Sequence, residues 1–279
     1  MQSTRDIRRK IRSVANIQQI TRAMKTVSSV KLRRAEGRIR AARPYAHQLA
    51  ELVARMAGGE VEHPYLVSRP HQRSGVVVIR ADKGLAGSFN VSVVREAVAR
   101  LRALPQASAI TIGRRGTDSL RRLGLPTEAA LSPLGAEPAS AQVAPIADLV
   151  GQLYREGRWD YVELVYTRFR GGTRVEVIRQ QLLPVSRPEA SGAVGDYLYE
   201  PAPQELLGLL MPRYLRTLVY TAVLDSAASE HAARVVAMSL ATDNAEKLID
   251  SLTLQYNKSR QSTITRELID IVGTAEAVS

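Results

Sequence analysis

Residues 212–279 read PRYLRTLVYTAVLDSAASEHAARVVAMSLATDNAEKLIDSLTLQYNKSRQSTITRELIDIVGTAEAVS, 68 residues with one proline at the start, Pro212, and one glycine near the end, Gly273. Nothing between them breaks a helix. At about 1.5 Å per residue, a helix from Pro212 to Ala277 runs on the order of 100 Å. A compact chain of 279 residues is only roughly 35–40 Å across. Such a helix cannot lie inside one globule, and something else must cover its apolar positions. The stretch marks a mechanical or assembly part.

The other end of the chain repeats the message. From Thr4 to Arg43 there is no proline, and the only glycine is Gly37. Apolar residues recur at Ile7, Ile11, Val14, Ile17, Ile20, Met24 and Val27, in steps of 4, 3, 3, 3, 4 and 3. That is helical spacing with a narrow stripe. A second helix, on the order of 60–80 Å depending on whether it passes Pro44, is expected. Two long helices, each with one apolar stripe, can cover each other as an antiparallel coiled coil.

Composition removes several function classes. No run of about 20 apolar residues is present to span a membrane. The basic N-terminus lacks the apolar core of a secretory signal, and its stripe runs past the length of a transit peptide. There is no cysteine, so disulfides, thiol catalysis and cysteine-metal sites are out. Four scattered histidines (His47, His63, His71, His231) make a zinc site a poor expectation. The net charge of +12 is concentrated: residues 1–43 hold thirteen Lys or Arg against Asp6 and Glu36, a net of +11. Residues 204–279 hold seven basic and nine acidic groups, a net of −2. A basic helix points to nucleic acid, anionic lipid or an acidic protein partner, or to a solvated face beside a mildly acidic helix.

Between the helices lies an α/β pattern. Val76–Ala81 is a buried strand, followed by the loop Asp82–Asn90 (DKGLAGSFN) and a helix over about 91–104 that Pro105 ends. A strand at 109–112, a helix at 117–123, a loop with a short strand over 125–145 and a helix at 146–156 follow. Strands at 160–168 and 174–183 flank the turn RGGT, a hairpin. Residues 184–195 have linker composition. The expected fold class is α/β: a long antiparallel coiled coil of the N- and C-terminal helices (residues 1–58 and 204–279) plus a central α/β, Rossmann-like domain with a mixed sheet (residues 74–195).

Chemistry is hard to place on this frame. The loop DKGLAGSFN lies between strand and helix, where α/β proteins hold phosphate. It contains no Walker-type lysine, however, and Gly84 and Gly87 do not make G-x-G-x-x-G. Tight-turn geometry explains the glycines better. Gly113-Arg-Arg-Gly116 could grip an anion, though a solvated turn accounts for it equally. No nucleophile–base or paired-carboxylate constellation stands out, and no catalytic site, cofactor or metal is expected.

The C-terminal helix is unusual as a permanent core. One face steps through Leu215, Val219, Ala222, Ser226, Ala233, Ala237, Leu240, Asn244 and Leu248, mixing large with small and polar residues. Polar residues in a seam fix register at a cost in stability. The tip regains apolar residues at Ile264, Leu268, Ile271 and Val272, after the N-terminal partner helix runs out, and needs a socket.

At this point the chain resembles one family, the γ subunit of the F-type ATP synthase. The resemblance rests on IRRKIRSVANIQQITRAMKTVSSVKLRRA (Ile7–Ala35) and on YTAVL (220–224), ASEHAARVVAM (228–238), ATDN (241–244) and YNKSRQSTITRELIDIV (256–272). The DKGLAG loop and YLYEP (197–201) add to it, so the likeness covers essentially the whole chain. It implies a rotor shaft inside a ring of alternating α and β subunits. The c ring of the membrane would lie at its foot and an ε subunit beside it. Carried over residue by residue, Arg22, Met24 and Lys25 would face the acidic lever of β, and Arg260 and Gln261 its catch loop. Ile264, Leu268 and Ile271 would sit in the apolar sleeve at the top, and Tyr197, Tyr199 and Glu200 would meet the c ring. A basic shaft beside acidic levers attracts without demanding one register, since charge acts over a Debye length of about 8–10 Å. Where family members often carry cysteine in the central loop, this chain has Ala86, and with no cysteine anywhere thiol regulation is excluded. The linker before YLYEP diverges from the family pattern. A bacterial enzyme, at the cytoplasmic face of the cell membrane, is the expectation.

Two other readings compete. A nucleic-acid binder fits the basic helix, but aromatic residues are nearly absent from it. A membrane-surface helix fits less well, because the stripe is poor in Trp, Phe and Leu.

Overall fold

The computed structural model describes residues 4–57, 61–80, 82–132, 134–135, 137–186 and 200–278. Helix α1 spans Thr4–Ala57 and passes straight through Pro44. Helix α5 spans Pro203–Val278. It starts nine residues before Pro212, the expected start, and carries that proline in its interior. An interior proline costs about 3 kcal/mol. The turns ahead of it offset this: Leu207 and Met211 are fully buried in the main core. Pro203 takes the first helical position, where its missing N–H costs nothing.

The chain forms two compact units, residues 28–234 and residues 1–27 with 235–279. The first is built on a five-stranded sheet: β1 (Ser74–Ile79), β2 (Ala107–Ile112), β3 (Thr127–Leu131), β4 (Tyr161–Gly171) and β5 (Arg174–Leu183). The strand order is β3-β2-β1-β4-β5. The first four strands are parallel and β5 is antiparallel to β4, so the sheet is mixed as expected. Crossovers run through α2 (Phe89–Ala103), α3 (Arg114–Arg122) and α4 (Ser140–Arg155). Helix α4 begins six residues before the expected start and includes Pro145. Gln142 Oε1 accepts from the Ala139 amide at 3.0 Å and so satisfies one donor of its first turn.

Both faces of the sheet are covered, which is why all six residues of β1 are buried. On one face Val77, Ile79, Ile110 and Leu164 pack with Val150 and Tyr154 of α4, Val53 and Met56 of α1, and Met211 and Val219 of α5. On the other, Val76, Val78, Ala109 and Val165 pack with Val93 and Ala97 of α2 and Leu120 of α3. Gly75 is required by close approach: a Cβ there would run into the Trp159 ring. A bidentate ion pair joins the helix and sheet layers: Arg100 donates to both Glu163 oxygens at 2.6 and 2.9 Å. A smaller cluster holds Ile39 of α1 to Leu224, Ala228 and Ala232 of α5 and to Phe169 of β4.

The second unit is a pair of helical segments. Thr21 Oγ1 meets Thr242 Oγ1 at 2.8 Å, and Lys25 Nζ donates to Ser239 Oγ at 3.0 Å. As one residue number rises the other falls, so the pair is antiparallel, as the sequence predicts.

Candidate functional site

The two helical segments of residues 1–27 and 235–279 bury a different stripe from the one the apolar residues trace. On α1 the buried or half-buried positions include the line Ile7, Ile11, Val14, Gln18 and Thr21, in steps of 4, 3, 4 and 3. On α5 they include the line Met238, Thr242, Ala245, Ile249, Leu252, Tyr256 and Ser259, alternating 4 and 3. This is a heptad seam. The expected apolar stripe makes three successive steps of 3, and each lags a full turn by about 60°. Ile20 therefore points about 180° away from Ile11. Ile17, Ile20 and Val27 are exposed, Ile17 at 51%. The expected α5 face is corrected in the same way. Leu215, Val219, Ala222 and Ser226 are buried within residues 28–234, whereas Leu240, Asn244 and Leu248 are exposed.

The seam mixes large apolar residues, among them Ile7, Ile11, Val14, Met238, Ile249 and Leu252, with polar and small ones, Gln18, Thr21, Thr242, Ala245 and Ser259. The two threonine hydroxyls have one proton each, so one donates across the seam to the other, and the second donates to a carbonyl of its own helix, Gln18 for Thr21 or Met238 for Thr242. Apolar side chains meanwhile lie outside: Leu240, Leu248, Leu254, Ile264, Leu268 and Ile269 are exposed, Leu254 at 73%. A run of this kind on one helix is a surface that asks for a partner.

The sequence-derived contact residues distribute as follows. Arg22, Arg260 and Gln261 are exposed and Met24 is half-buried. Lys25 is exposed but its ammonium is held at the seam by Ser239. Ile264 and Leu268 are exposed on the last turns of α5. Ile271 lies on α5, with its side chain outside the described set. Glu200 is exposed, and Tyr197 and Tyr199 lie outside the described residues. Sequence reasoning missed that Ile17, Ile20 and Val27 are surface residues. The signal was there in the run of three-residue steps.

The loop DKGLAGSFN is clasped from three sides within residues 28–234. Asp82 Oδ1 accepts from the Arg114 amide and Oδ2 from the Leu134 amide, both at 2.8 Å. Asn90 takes the Arg80 Nε–H at 3.1 Å and donates to the Lys83 carbonyl at 3.2 Å. Arg234 of α5 donates to the Gly84 carbonyl at 3.1 Å and to Glu230 at 2.5 Å. Leu85 and Gly87 have φ of 61° and 55°, so the loop doubles back tightly, as its glycine content suggests. Burial raises the Glu230 pKa, against the pull of Arg234. Burial, then the charges of Arg234, Lys31 and Lys83, lower His231 to about 4, so the imidazole is neutral at neutral pH. Among the described residues no His, Asp or Glu cluster could hold a metal ion, and no helix is long and apolar enough to cross a membrane.

The family profile described as "ATP synthase" matches residues 3–278. The "ATP synthase gamma chain" of Moorella thermoacetica is 42% identical over 281 residues, covering all of both chains. That of Desulfitobacterium hafniense is 42% identical with the same coverage. The chain belongs to the ATP synthase γ-chain family. Solved structures agree in fold. The central stalk with c ring of the Tetrahymena thermophila mitochondrial ATP synthase contains a chain 27% identical, with TM-score 0.60, covering 80% of this chain and 99% of that one. A chain of the Euglena gracilis mitochondrial ATP synthase in rotational state 3 is 21% identical, with TM-score 0.73, covering 99% and 94%. Membership of the γ-chain family disposes of the nucleic-acid reading. It also gives the exposed apolar residues of α5 a context, because a γ chain is one subunit of a larger assembly.

Proposed function

We propose that this chain is the central-stalk rotor of an F-type ATP synthase. It couples ion-driven rotation of the c ring to ATP synthesis or hydrolysis on the α and β subunits. In this reading it has no catalytic site of its own and transmits torque as a peripheral subunit at the cytoplasmic face of a bacterial cell membrane. Arg22 and Met24 face the acidic lever of β, and Arg260 and Gln261 meet its catch loop. Ile264, Leu268 and Ile271 turn in the apolar sleeve formed by α and β. Tyr197, Tyr199 and Glu200 seat on the c ring with ε alongside. The exposed flank of Ile17, Ile20 and Val27 joins the sleeve-facing surface.

One observation carries the reading: α5 turns Met238, Ile249, Leu252 and Tyr256 into its seam and still leaves a second set of large apolar residues, Leu240, Leu248, Leu254, Ile264, Leu268 and Ile269, outside. A helix pair that stood alone would keep that second face polar. A shaft turning in a sleeve needs an apolar outer surface that slides and an inner seam that holds register.

The test is reconstitution. Mixing α and β with this chain should give ATP hydrolysis, and omitting it should remove most of that activity. Vesicles carrying the full complex should acidify on ATP addition. Ending the chain at Tyr256 should weaken assembly or coupling. Full assembly with full proton pumping from that truncation would overturn the tip contact.

A further inference from the structure

At the carboxyl ends of β1 and β2 the clasped loop, α1, α3 and α5 surround a cavity of about 230 Å³ within residues 28–234. Five basic residues line it: Lys31, Arg80, Lys83, Arg114 and Arg234. Two acids share the wall, and both are engaged. Asp82 receives the amides of Arg114 and Leu134, and Glu230 receives Arg234. The side chains of Lys31, Lys83 and Arg114 make no hydrogen bond or ion pair among the described residues. They come from three separate elements, α1, the β1–α2 loop and α3. Three like charges brought to one cavity repel one another, less where water reaches the exposed Lys83 and Arg114. A fold tolerates this where something of opposite charge visits.

We propose that this cleft binds a phosphate-type oxyanion, orthophosphate or diphosphate, held by Lys31, Lys83 and Arg114. The cavity's size sets the class. Pockets that enclose a whole cofactor run about 300–1,000 Å³, so a phosphate group fits here while a base and ribose stay outside. The charge sets it too: three cations from three directions match an anion with several charges and oxygens pointing apart. The location is where parallel sheets take ligands, outside the carboxyl ends of their strands. His231 on the same wall is held neutral, first by burial and then by the charges of Arg234, Lys31 and Lys83, so it adds no further cation. The glycines of DKGLAG are no cradle for this anion. Asp82 already occupies the α3 amide, and the side chains do the holding. A bound anion would join α1, the loop and α3 into one charge network beside the Arg234–Glu230 pair of α5, stiffening this unit.

The test uses the full chain in about 50 mM salt and titration calorimetry with sodium diphosphate, orthophosphate and ADP. Diphosphate should bind saturably at one site, more tightly than orthophosphate. Lys83→Ala combined with Arg114→Ala should weaken it tenfold or more, with circular dichroism unchanged. Lys83→Arg should keep it. Arg102→Ala, an exposed cation on α2, should leave it unaltered. ADP binding that matches diphosphate and is lost in the same double variant supports the site and names a nucleotide tail as its source. Failure of ADP beside tight diphosphate supports it with the free anion as source. No saturable binding of diphosphate or orthophosphate, or diphosphate binding indifferent to the double variant, overturns the proposal.

Discussion

In the unit of residues 28–234, Val77, Ile110 and Leu164 lie side by side across three strands and are fully buried beneath α4. In the unit of residues 1–27 and 235–279, a short apolar line that includes Ile7 and Met238 is joined by polar pairs, Thr21 with Thr242 and Lys25 with Ser239. The first arrangement gains about 1.5–3 kcal/mol for each large side chain withdrawn from water. The second gains about 0.5–1.5 kcal/mol per hydrogen bond, since each replaces one to water. The α/β-centred unit therefore carries its own stability. The helix pair has a thinner apolar seam with polar groups that fix register, and leaves Ile17, Ile20, Leu240, Leu248 and Leu254 among others for another surface to cover.

This contrast can be broken most forcefully in the sheet. Leu164→Ala should cost about 3–4 kcal/mol, read by urea denaturation, because the fully buried site cannot collapse around the cavity. A loss below about 1 kcal/mol would mean that this core is not what holds the unit together.

A smaller effect, of opposite sign, is expected at Asp225. Its side chain is largely buried, its Oδ1 has no hydrogen-bond partner among the described residues, and Arg43 of α1 stands off at 4.0 Å. Burial raises its pKa to about 6, against the pull of Arg43 and of Arg168 and Arg170 on β4 and the Phe169 amide. A carboxyl whose folded pKa lies above its unfolded value of 3.8 destabilises the fold when ionised. The penalty is full above pH 6, shrinks as pH falls toward 4, and is absent below. Asp225→Asn should raise stability by about 1–2 kcal/mol at pH 7.5, allowing for partial solvent screening. That gain should vanish near pH 4. A thermal-melt series from pH 4 to 8 with a constant offset between the two proteins would sink the assignment.

The smallest effect should be in the seam. Thr21→Val with Thr242→Val removes both partners of one hydrogen bond and substitutes similar shapes, which is close to neutral. Global stability should move by less than about 1 kcal/mol. The expected change is in register, read as broadened amide resonances or lost helix protection by hydrogen exchange over residues 235–260. A large loss of stability instead would mean that the seam, like the sheet, is a core.

Much of this was open to sequence reading. The absence of breakers after Pro212 foretells α5, the apolar run VVVI foretells β1, and the GG turn foretells the hairpin between β4 and β5. The two misplaced helix starts share one cause. Pro212 and Pro145 look like boundaries by local rules, but Leu207, Met211 and Val143 are buried and hold the preceding turns in place. Of the candidate contact residues, Arg260, Gln261, Ile264 and Leu268 were picked from the terminal string and do lie exposed. The cleft basic residues could not be grouped, because Lys31, Lys83 and Arg114 are far apart in sequence and meet only through the fold.

By itself the sequence determined the element types, the antiparallel pairing of the terminal helices and the family, since periodicity, breakers and long matching strings are local properties. Tertiary structure decided which side of each helix is inside. Hydrophobicity favours burying Ile17, Ile20 and Leu240. The 4-3 spacing of a two-helix seam instead selects Gln18, Thr21 and Thr242, because only residues that stay on one line along both helices can remain in contact over many turns.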